Sequence, residues 1–207
     1  MTTDCRGSRS NEGGSAGRRN IYGCVLETFR RLGKAPTPSE IAEELKVTEN
    51  VVIENLRALE ADGALKLEPG TTAILDAYPY SAVPTKHIVQ LPDGSRLHCM
   101  CAIDVFYVPF LTESDVSIES RCHYCDAAIR ISVDDGAITG IDPPATVVWD
   151  SAATYDCPLT NFFCSQEHLR LWNESAPAEP GQQIELMMAL DRGRVGAARI
   201  SRELADS

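Results

Sequence analysis

Three successive helical patterns and a short hairpin pattern, between residues 20 and 77, constrain the fold most strongly. In each helical segment apolar residues recur every three or four positions, and Gly33 and Gly63 follow the first and third segments. The stretch "ALKLEPGTTAIL" then has the pattern of two short strands. These features predict an N-terminal winged helix-turn-helix-like helical module.

The charge of this module argues against a role in DNA binding. The third helix would be the one to enter a groove, yet it contains Glu49, Glu54 and Glu60, with Arg57 as its one basic residue. Helices that read bases present Arg, Lys, Asn or Gln to the groove. The whole chain also has a formal net charge of −11, which disfavours binding to phosphates. We therefore expect a packing module and no nucleic-acid partner.

The rest of the chain has the pattern of an α+β protein. A hairpin is predicted from Ile88 to Met100, followed by an apolar helix up to Pro109, short strands alternating with turns, and helices over 165–172 and 183–204. We expect a mixed β-sheet core domain with flanking helices. The predicted division is a disordered tail (1–19), the winged-helix-like module (20–77), a linker (78–86) and the core domain (87–207).

The cellular compartment follows from what the sequence lacks. No apolar stretch approaches the ~18 residues needed to cross a bilayer, and the N-terminus has no apolar segment typical of a secretory signal. We expect a cytoplasmic protein with no membrane partner. In a reducing compartment the eight cysteines are more often metal ligands, nucleophiles or buried residues than disulfides.

The segment "CMCAIDVFYVPFL" places thiols and a carboxyl group in an apolar run. Cys101 and Asp104 are three residues apart, which would put them on one face of a helix. A nearby carboxylate raises the pKa of a thiol, so the pair suits a simple nucleophile poorly. It suits a sulfur that binds a soft cation beside a carboxyl that carries a proton. The alternative is a buried cysteine with a capping aspartate.

A second group of cysteines has the spacing of a metal site. Cys122 and Cys125 form a C-x-x-C knuckle, and Cys164 and His168 lie four residues apart at the start of a predicted helix. A treble-clef-like zinc site takes two ligands from each of two such elements, and four N/S ligands suit tetrahedral Zn²⁺. We therefore predict a structural zinc site. The alternative is a set of core cysteines with a surface histidine.

Two segments together resemble the organomercurial (alkylmercury) lyase family. "CMCAIDVFYVPFL" is similar to the family segment in which a catalytic cysteine, an alanine, an aliphatic residue and an aspartate lead into an apolar helix. "DCPLTNFF" is similar to the later segment in which a second catalytic cysteine precedes paired phenylalanines. The resemblance extends from about Ile21 to Trp172. Met100 stands where the family often has an aromatic residue, and Cys99 is an additional thiol.

The resemblance implies a reaction and a role for each residue. Cys101 and Cys157 would bind the mercury of R–Hg⁺, and Asp104 would pass a thiol proton to the departing carbon. The products would be R–H and Hg²⁺, the latter held by Cys101 and Cys157 beside Asp104. Catalysis would need no cofactor. Mercuric reductase or small thiols would take over the Hg²⁺.

Two other functions are compatible with the same residues. One is a non-catalytic metal-binding or metal-transfer protein for Zn, Cu or Hg on the same scaffold. The other is a winged-helix metal-responsive transcriptional regulator, against which the acidic third helix counts.

Overall fold

The computed structural model describes residues 15–151, 159–175 and 180–205. The α-helices in these ranges are α1 (Ser15–Leu32), α2 (Pro38–Leu45), α3 (Glu49–Ala61), α4 (Val108–Thr112), α5 (Gln166–Ser175) and α6 (Leu186–Ala205). The strands are β1 (Leu65–Leu67), β2 (Ile74–Ala77), β3 (Tyr80–Ser81), β4 (His87–Gln90), β5 (Arg96–Cys99), β6 (Val116–Arg121), β7 (Ala128–Asp134), β8 (Ala137–Asp142), β9 (Val147–Ser151), β10 (Asn161–Phe163) and β11 (Gly181–Ile184). A 3₁₀ helix spans Asp104–Phe106.

The three predicted N-terminal helices are present, and local sequence explains where they begin. Thr37 caps α2 in a capping box: its hydroxyl accepts from the Glu40 amide at 3.2 Å, and the Glu40 carboxylate accepts from the Thr37 amide at 2.7 Å. The first helix begins earlier than predicted, at Ser15. The predicted disordered tail is therefore wrong for residues 15–19, where Arg18 pairs with Asp62 at the end of α3. Residues 1–14 of that tail lie outside the described ranges.

One eight-stranded sheet joins the N-terminal module to the core. Its strand order is β1-β2-β3-β5-β4-β6-β7-β8. The short strand β3 lies inside the predicted linker and pairs with both β2 and β5, so this segment belongs to the sheet. A second sheet has the order β10-β9-β11. We predicted a mixed sheet, but every strand pairing in the described ranges is antiparallel.

Two predicted helices differ from the structure. The helix expected up to Pro109 is instead the 3₁₀ helix followed by α4, and Pro109 stands in the first turn of α4. Proline is tolerated there because the first-turn amides have no partner within the helix. The helix predicted over 183–204 begins at Leu186, because Gln183 and Ile184 pair with β9 as part of β11. Tertiary pairing thus overrides the helical pattern at this end.

Helix α6 packs closely against the 3₁₀ helix. A Cβ atom at Gly193 would lie only 2.6 Å from the Cβ of Phe106, and one at Gly196 would overlap the ring of Tyr107. Phe106 is fully buried. The two glycines therefore allow α6 to lie directly against the segment that begins at Asp104.

No helix within these described ranges is long and apolar enough to cross a membrane.

Candidate functional site

Cys101 and Asp104 lie together in a buried connection between the end of β5 and the 3₁₀ helix. Cys101 is 3% exposed and Asp104 is 1% exposed. Cys101 precedes the 3₁₀ helix, and Asp104 is its first residue. The two residues were predicted to lie on one helix; instead, Cys101 lies in a turn and Asp104 begins the short helix that follows it. The acidic side chain is buried although most carboxylates lie at the surface, which makes Asp104 a candidate functional residue.

Backbone hydrogen bonds fix this connection on both sides. The Met100 amide donates to the Pro79 carbonyl at 3.3 Å, and the Ala102 amide donates to the Thr160 carbonyl at 3.1 Å. The Thr85 hydroxyl donates to the carbonyl of Cys99 at 2.7 Å. The segment carrying Cys101 is thus held between the main sheet and the residue that precedes β10.

Cys99, the additional thiol, is the last residue of β5, two positions before Cys101, and is fully buried. Burial raises the pKa of its thiol well above the usual value, and the nearby Asp104 carboxylate raises it further. Cys99 is therefore a neutral thiol near neutral pH. Cys157 lies outside the described residues, so its role remains a prediction.

A buried polar group next to the site was missed by sequence analysis. His87 lies directly opposite Cys99 in the β4–β5 pairing, and its Nδ1 is 3.0 Å from the Ser120 hydroxyl. Burial lowers the pKa of His87 to about 3, although a hydrogen bond with the Asn161 side chain acts in the opposite direction. His87 is therefore neutral. Nothing in "TKHIV" distinguishes it from a surface histidine, because its partners come from distant strands.

The predicted zinc ligands do come together. Cys122, Cys125, Cys164 and His168 offer ligand atoms that all lie within 4.8 Å of one another. The Cys125 and Cys164 sulfurs are 3.7 Å apart, and His168 Nδ1 lies 2.9 Å from the Cys164 sulfur and 3.9 Å from that of Cys122. We call this group the Cys/His cluster.

Two short elements build the Cys/His cluster. The knuckle turns back after β6, where the Cys122 amide donates to Ala127 and the Asp126 amide donates to Cys122. Asp126 adopts a left-handed conformation with φ 60°, which Asp tolerates better than most residues. On the other side, the Ser165 hydroxyl accepts from the His168 amide at 3.2 Å at the start of α5. These local bonds direct both pairs of ligands to one point.

Electrostatics favour a cation at the Cys/His cluster. Burial raises the pKa of the Cys122 thiol, but hydrogen bonds from the backbone of Cys164, Cys125 and Tyr124 and from His168 outweigh it and lower that pKa to about 6. The pKa of Cys164 is raised to about 12 by burial and by the neighbouring thiols. A thiolate at Cys122 therefore disfavours a second one, unless a cation binds between them. The residues present can thus hold a metal ion.

In the third helix, Glu60 has a structural partner. Its carboxylate accepts a hydrogen bond from the Leu67 amide at 2.9 Å, which ties α3 to β1. This side chain is therefore used inside the N-terminal module.

Comparison with known proteins gives one consistent family. Residues 80–196 match the family model described as MerB, alkylmercury lyase. A relative named alkylmercury lyase from Bacillus cereus is 28% identical over 172 residues, covering 80% of this chain and 72% of the relative. One of the same name from Staphylococcus epidermidis is 29% identical over 183 residues, covering 83% of this chain and 80% of the relative.

A solved structure has the same fold. The crystal structure of the mercury-bound form of MerB2 superposes with a TM-score of 0.75 at 25% sequence identity, over 88% of this chain and 91% of that chain. The region matched by the family model contains Cys101, Asp104 and Cys157, and also the whole Cys/His cluster.

Proposed function

This chain belongs to the alkylmercury lyase family, and from that membership we propose that it cleaves the carbon–mercury bond of organomercurials with Cys101, Cys157 and Asp104. It is an enzyme, a carbon–mercury lyase, and its substrate is a small organomercurial. The proposal rests on one observation above all. The family region of this chain contains a buried cysteine and a buried aspartate three residues apart, in one fixed connection.

The reaction can be written with these groups alone. The Cys101 thiol first replaces the ligand X of R–Hg–X, and its proton leaves with X as HX, giving R–Hg–S. The Cys157 thiol then binds the same mercury as its proton passes to Asp104. Asp104 delivers that proton to the carbon as the Hg–C bond breaks, so R–H leaves and Hg²⁺ remains between two sulfurs. Each thiol loses one proton, one of which ends on carbon.

The chemistry of mercury explains why these residue types are needed. Mercury is a soft metal and prefers thiolates to oxygen ligands. Two thiolates increase the electron density on the carbon that is lost, and a positioned acid completes its protonation. Asp104 suits this role because it is buried next to the thiol-bearing turn. The position of Thr160, three residues after Cys157 and bonded to the neighbour of Cys101, supports a pairing of the two thiols.

A protonolysis assay tests the lyase function. Phenylmercury is incubated with the full chain and an excess of a small thiol, and benzene is measured together with released Hg²⁺. One benzene per mercury is expected. A protein that binds phenylmercury without releasing benzene would instead be a metal-binding relative on the lyase scaffold.

For the Cys/His cluster, structural zinc is the ion that fits best. Tetrahedral Zn²⁺ with Zn–S bonds of about 2.3 Å places its sulfurs roughly 3.8 Å apart, close to the 3.7 Å between Cys125 and Cys164. Three sulfurs and one imidazole are a typical zinc ligand set, whereas Mg²⁺ and Ca²⁺ prefer oxygen. This metal would not take part in the lyase chemistry. Elemental analysis of the protein as purified tests it, with one zinc per chain expected.

The N-terminal helices and the β1–β2 hairpin have the order of a winged helix. Because α3 contains Glu49, Glu54 and Glu60 with Arg57 as its one basic residue, we propose a packing module that binds no nucleic acid. We place the protein in the cytoplasm, where mercuric reductase or small thiols would accept Hg²⁺. Salt-dependent binding to duplex DNA that changes with added metal would support a transcriptional regulator instead.

A further inference from the structure

The Cys/His cluster and the lyase site are connected by one short stretch of chain, Thr160 to Cys164. The Thr160 carbonyl accepts from the amide of Ala102, next to Cys101. Cys164, four residues later, is a ligand of the cluster. A chain spans at most ~3.6 Å per residue, so these two contacts lie within roughly 14 Å of each other. We call residues 160–164 the bridging segment.

Side chains of the bridging segment contact residues next to the lyase site. The ring of Phe162 meets that of Phe106, in the 3₁₀ helix of Asp104, edge to face at 6.1 Å. It also meets the ring of His87 at 5.8 Å. Asn161 hydrogen-bonds His87, which lies opposite Cys99. A displacement of β10 would therefore disturb the contacts of this strand with His87, which lies opposite Cys99, and with Phe106, which lies in the 3₁₀ helix of Asp104.

The other end of the bridging segment depends on the Cys/His cluster. The carbonyl of Phe162 accepts from the His123 amide at 2.9 Å, inside the knuckle. Phe163 also contacts the His123 ring, at 5.8 Å. The strand itself is only three residues long and pairs with β9 alone in its sheet. Cys164 directly follows β10, and the knuckle directly follows β6. A metal bound by both would therefore hold β10 next to β6.

We propose that the metal in the Cys/His cluster positions the lyase site through the bridging segment. Its ligands are positioning residues and touch no substrate. The inference rests on the proposed lyase function, since it assigns a second role to the zinc site of the same enzyme. With the metal bound, β10 is held so that the Thr160 carbonyl keeps Ala102, and with it Cys101, in a fixed place. Without the metal, this constraint weakens while the N-terminal helices and the eight-stranded sheet remain folded.

The test removes one exposed ligand and follows three quantities. Cys125→Ser should lose the metal, whereas Cys125→His should retain it, because imidazole is also a zinc ligand. Asp126→Asn, in the same turn but not a ligand, is the matched control. For each variant we would measure zinc content, kcat and KM for phenylmercury, and amide hydrogen exchange at Ala102. The Val52 amide, which donates to Thr48 in α3, serves as the internal reference.

The expected pattern is specific to positioning. In Cys125→Ser, kcat falls about 10- to 100-fold with KM nearly unchanged, and exchange at Ala102 accelerates at least about tenfold while Val52 stays protected. Cys125→His restores all three quantities, and Asp126→Asn leaves them as in the parent. Loss of zinc with unchanged kcat and unchanged Ala102 exchange would overturn the inference. So would a parent protein that holds no metal and still protects Ala102.

Two further outcomes are also decisive. If Cys125→Ser does not fold, the parent protein is stripped with a chelator and reloaded with zinc alone, and Ala102 exchange must respond reversibly. If the zinc-loaded parent releases no benzene, the lyase function fails, but Ala102 exchange still decides whether the cluster positions this segment.

Discussion

The amide of Ala102 donates a hydrogen bond to the carbonyl of Thr160 at 3.1 Å, and this bond joins the turn that carries Cys101 to the strand that leads into the Cys/His cluster. The two predicted sites of this chain are therefore neighbours in the fold. Their separation in sequence conceals this, because the bond is formed between residues 58 positions apart.

Cys101 and Cys99 should behave differently when each is replaced by alanine. Cys101→Ala should lower the rate of benzene release by more than about 10³-fold, since Cys157 alone cannot supply both of the mercury–sulfur bonds that the mechanism uses. Cys99→Ala should keep kcat and cost about 1–2 kcal/mol of stability, because it removes only a buried neutral thiol. Steady-state kinetics and urea unfolding of both variants check this. If instead Cys99→Ala lost activity and Cys101→Ala kept it, Cys99 would be the mercury-binding thiol.

Loss of a cluster ligand should lower stability together with metal content. Cys164→Ala should lose zinc and about 3 kcal/mol of unfolding free energy, which corresponds to a fall in Tm of roughly 6–12 °C for a chain of this size. Cys24→Ala, which removes a buried cysteine from α1, is the control and should retain its zinc. Thermal unfolding with and without a chelator makes the comparison. Chelator-insensitive unfolding of the parent would rule out a structural metal.

Gly193 should be essential to the contact between α6 and the 3₁₀ helix. An added Cβ there would overlap the backbone of Phe106, so Gly193→Ala should destabilise the protein by about 1–3 kcal/mol and lower kcat by displacing Asp104. Among the described residues, the new methyl group of Gly23→Ala makes an ordinary contact with the Leu204 side chain at 3.6 Å, so this helix variant should be neutral or more stable by up to about 1 kcal/mol. Equilibrium unfolding and kcat distinguish the two. Equal effects of both substitutions would mean that the close approach is unimportant.

His87 should make stability depend on pH in mildly acidic solution. Its pKa is about 3 in the folded chain and about 6.5 when unfolded, so between these values the unfolded state binds more protons. The unfolding free energy should therefore fall as the pH drops below about 6.5, by up to about 1.4 kcal/mol per pH unit, and level off above it. His87→Gln should flatten this slope between about pH 5 and pH 6.5, where carboxylates contribute little. Urea unfolding of the parent and of His87→Gln across this pH range is the measurement, and His98→Gln is the control. If the slope of the unfolding free energy against pH is the same in His87→Gln as in the parent, His87 is not a buried neutral imidazole.

Local signals in the sequence predicted the features that depend on neighbouring residues. The hairpin after His87 and the C-x-x-C knuckle at Cys122 could both be recognised because their partners lie within a few positions. The ligand pairs of the Cys/His cluster were also predicted correctly as one group, since each pair sits on a recognisable element.

Features that depend on distant partners could not be predicted in the same way. The polar contacts of His87 with Ser120 and Asn161 involve three separate strands. The strand at Gly181 forms because β9 offers an edge, although its sequence continues a helical pattern. Strand β3 was hidden by the prolines around Tyr80, because a two-residue strand leaves too short a pattern to recognise.

In the mechanism we propose, Asp104 delivers the proton that breaks the carbon–mercury bond. A single-turnover experiment with phenylmercury, excess thiol and Asp104→Asn tests it most directly, because the amide keeps the shape of the side chain but cannot relay the proton. We predict that this variant still binds one phenylmercury per chain but releases benzene about 10²- to 10⁴-fold more slowly than the parent. Asp93→Asn, in the exposed β4–β5 turn, should keep the parent rate. Benzene release by Asp104→Asn at the parent rate would contradict the mechanism.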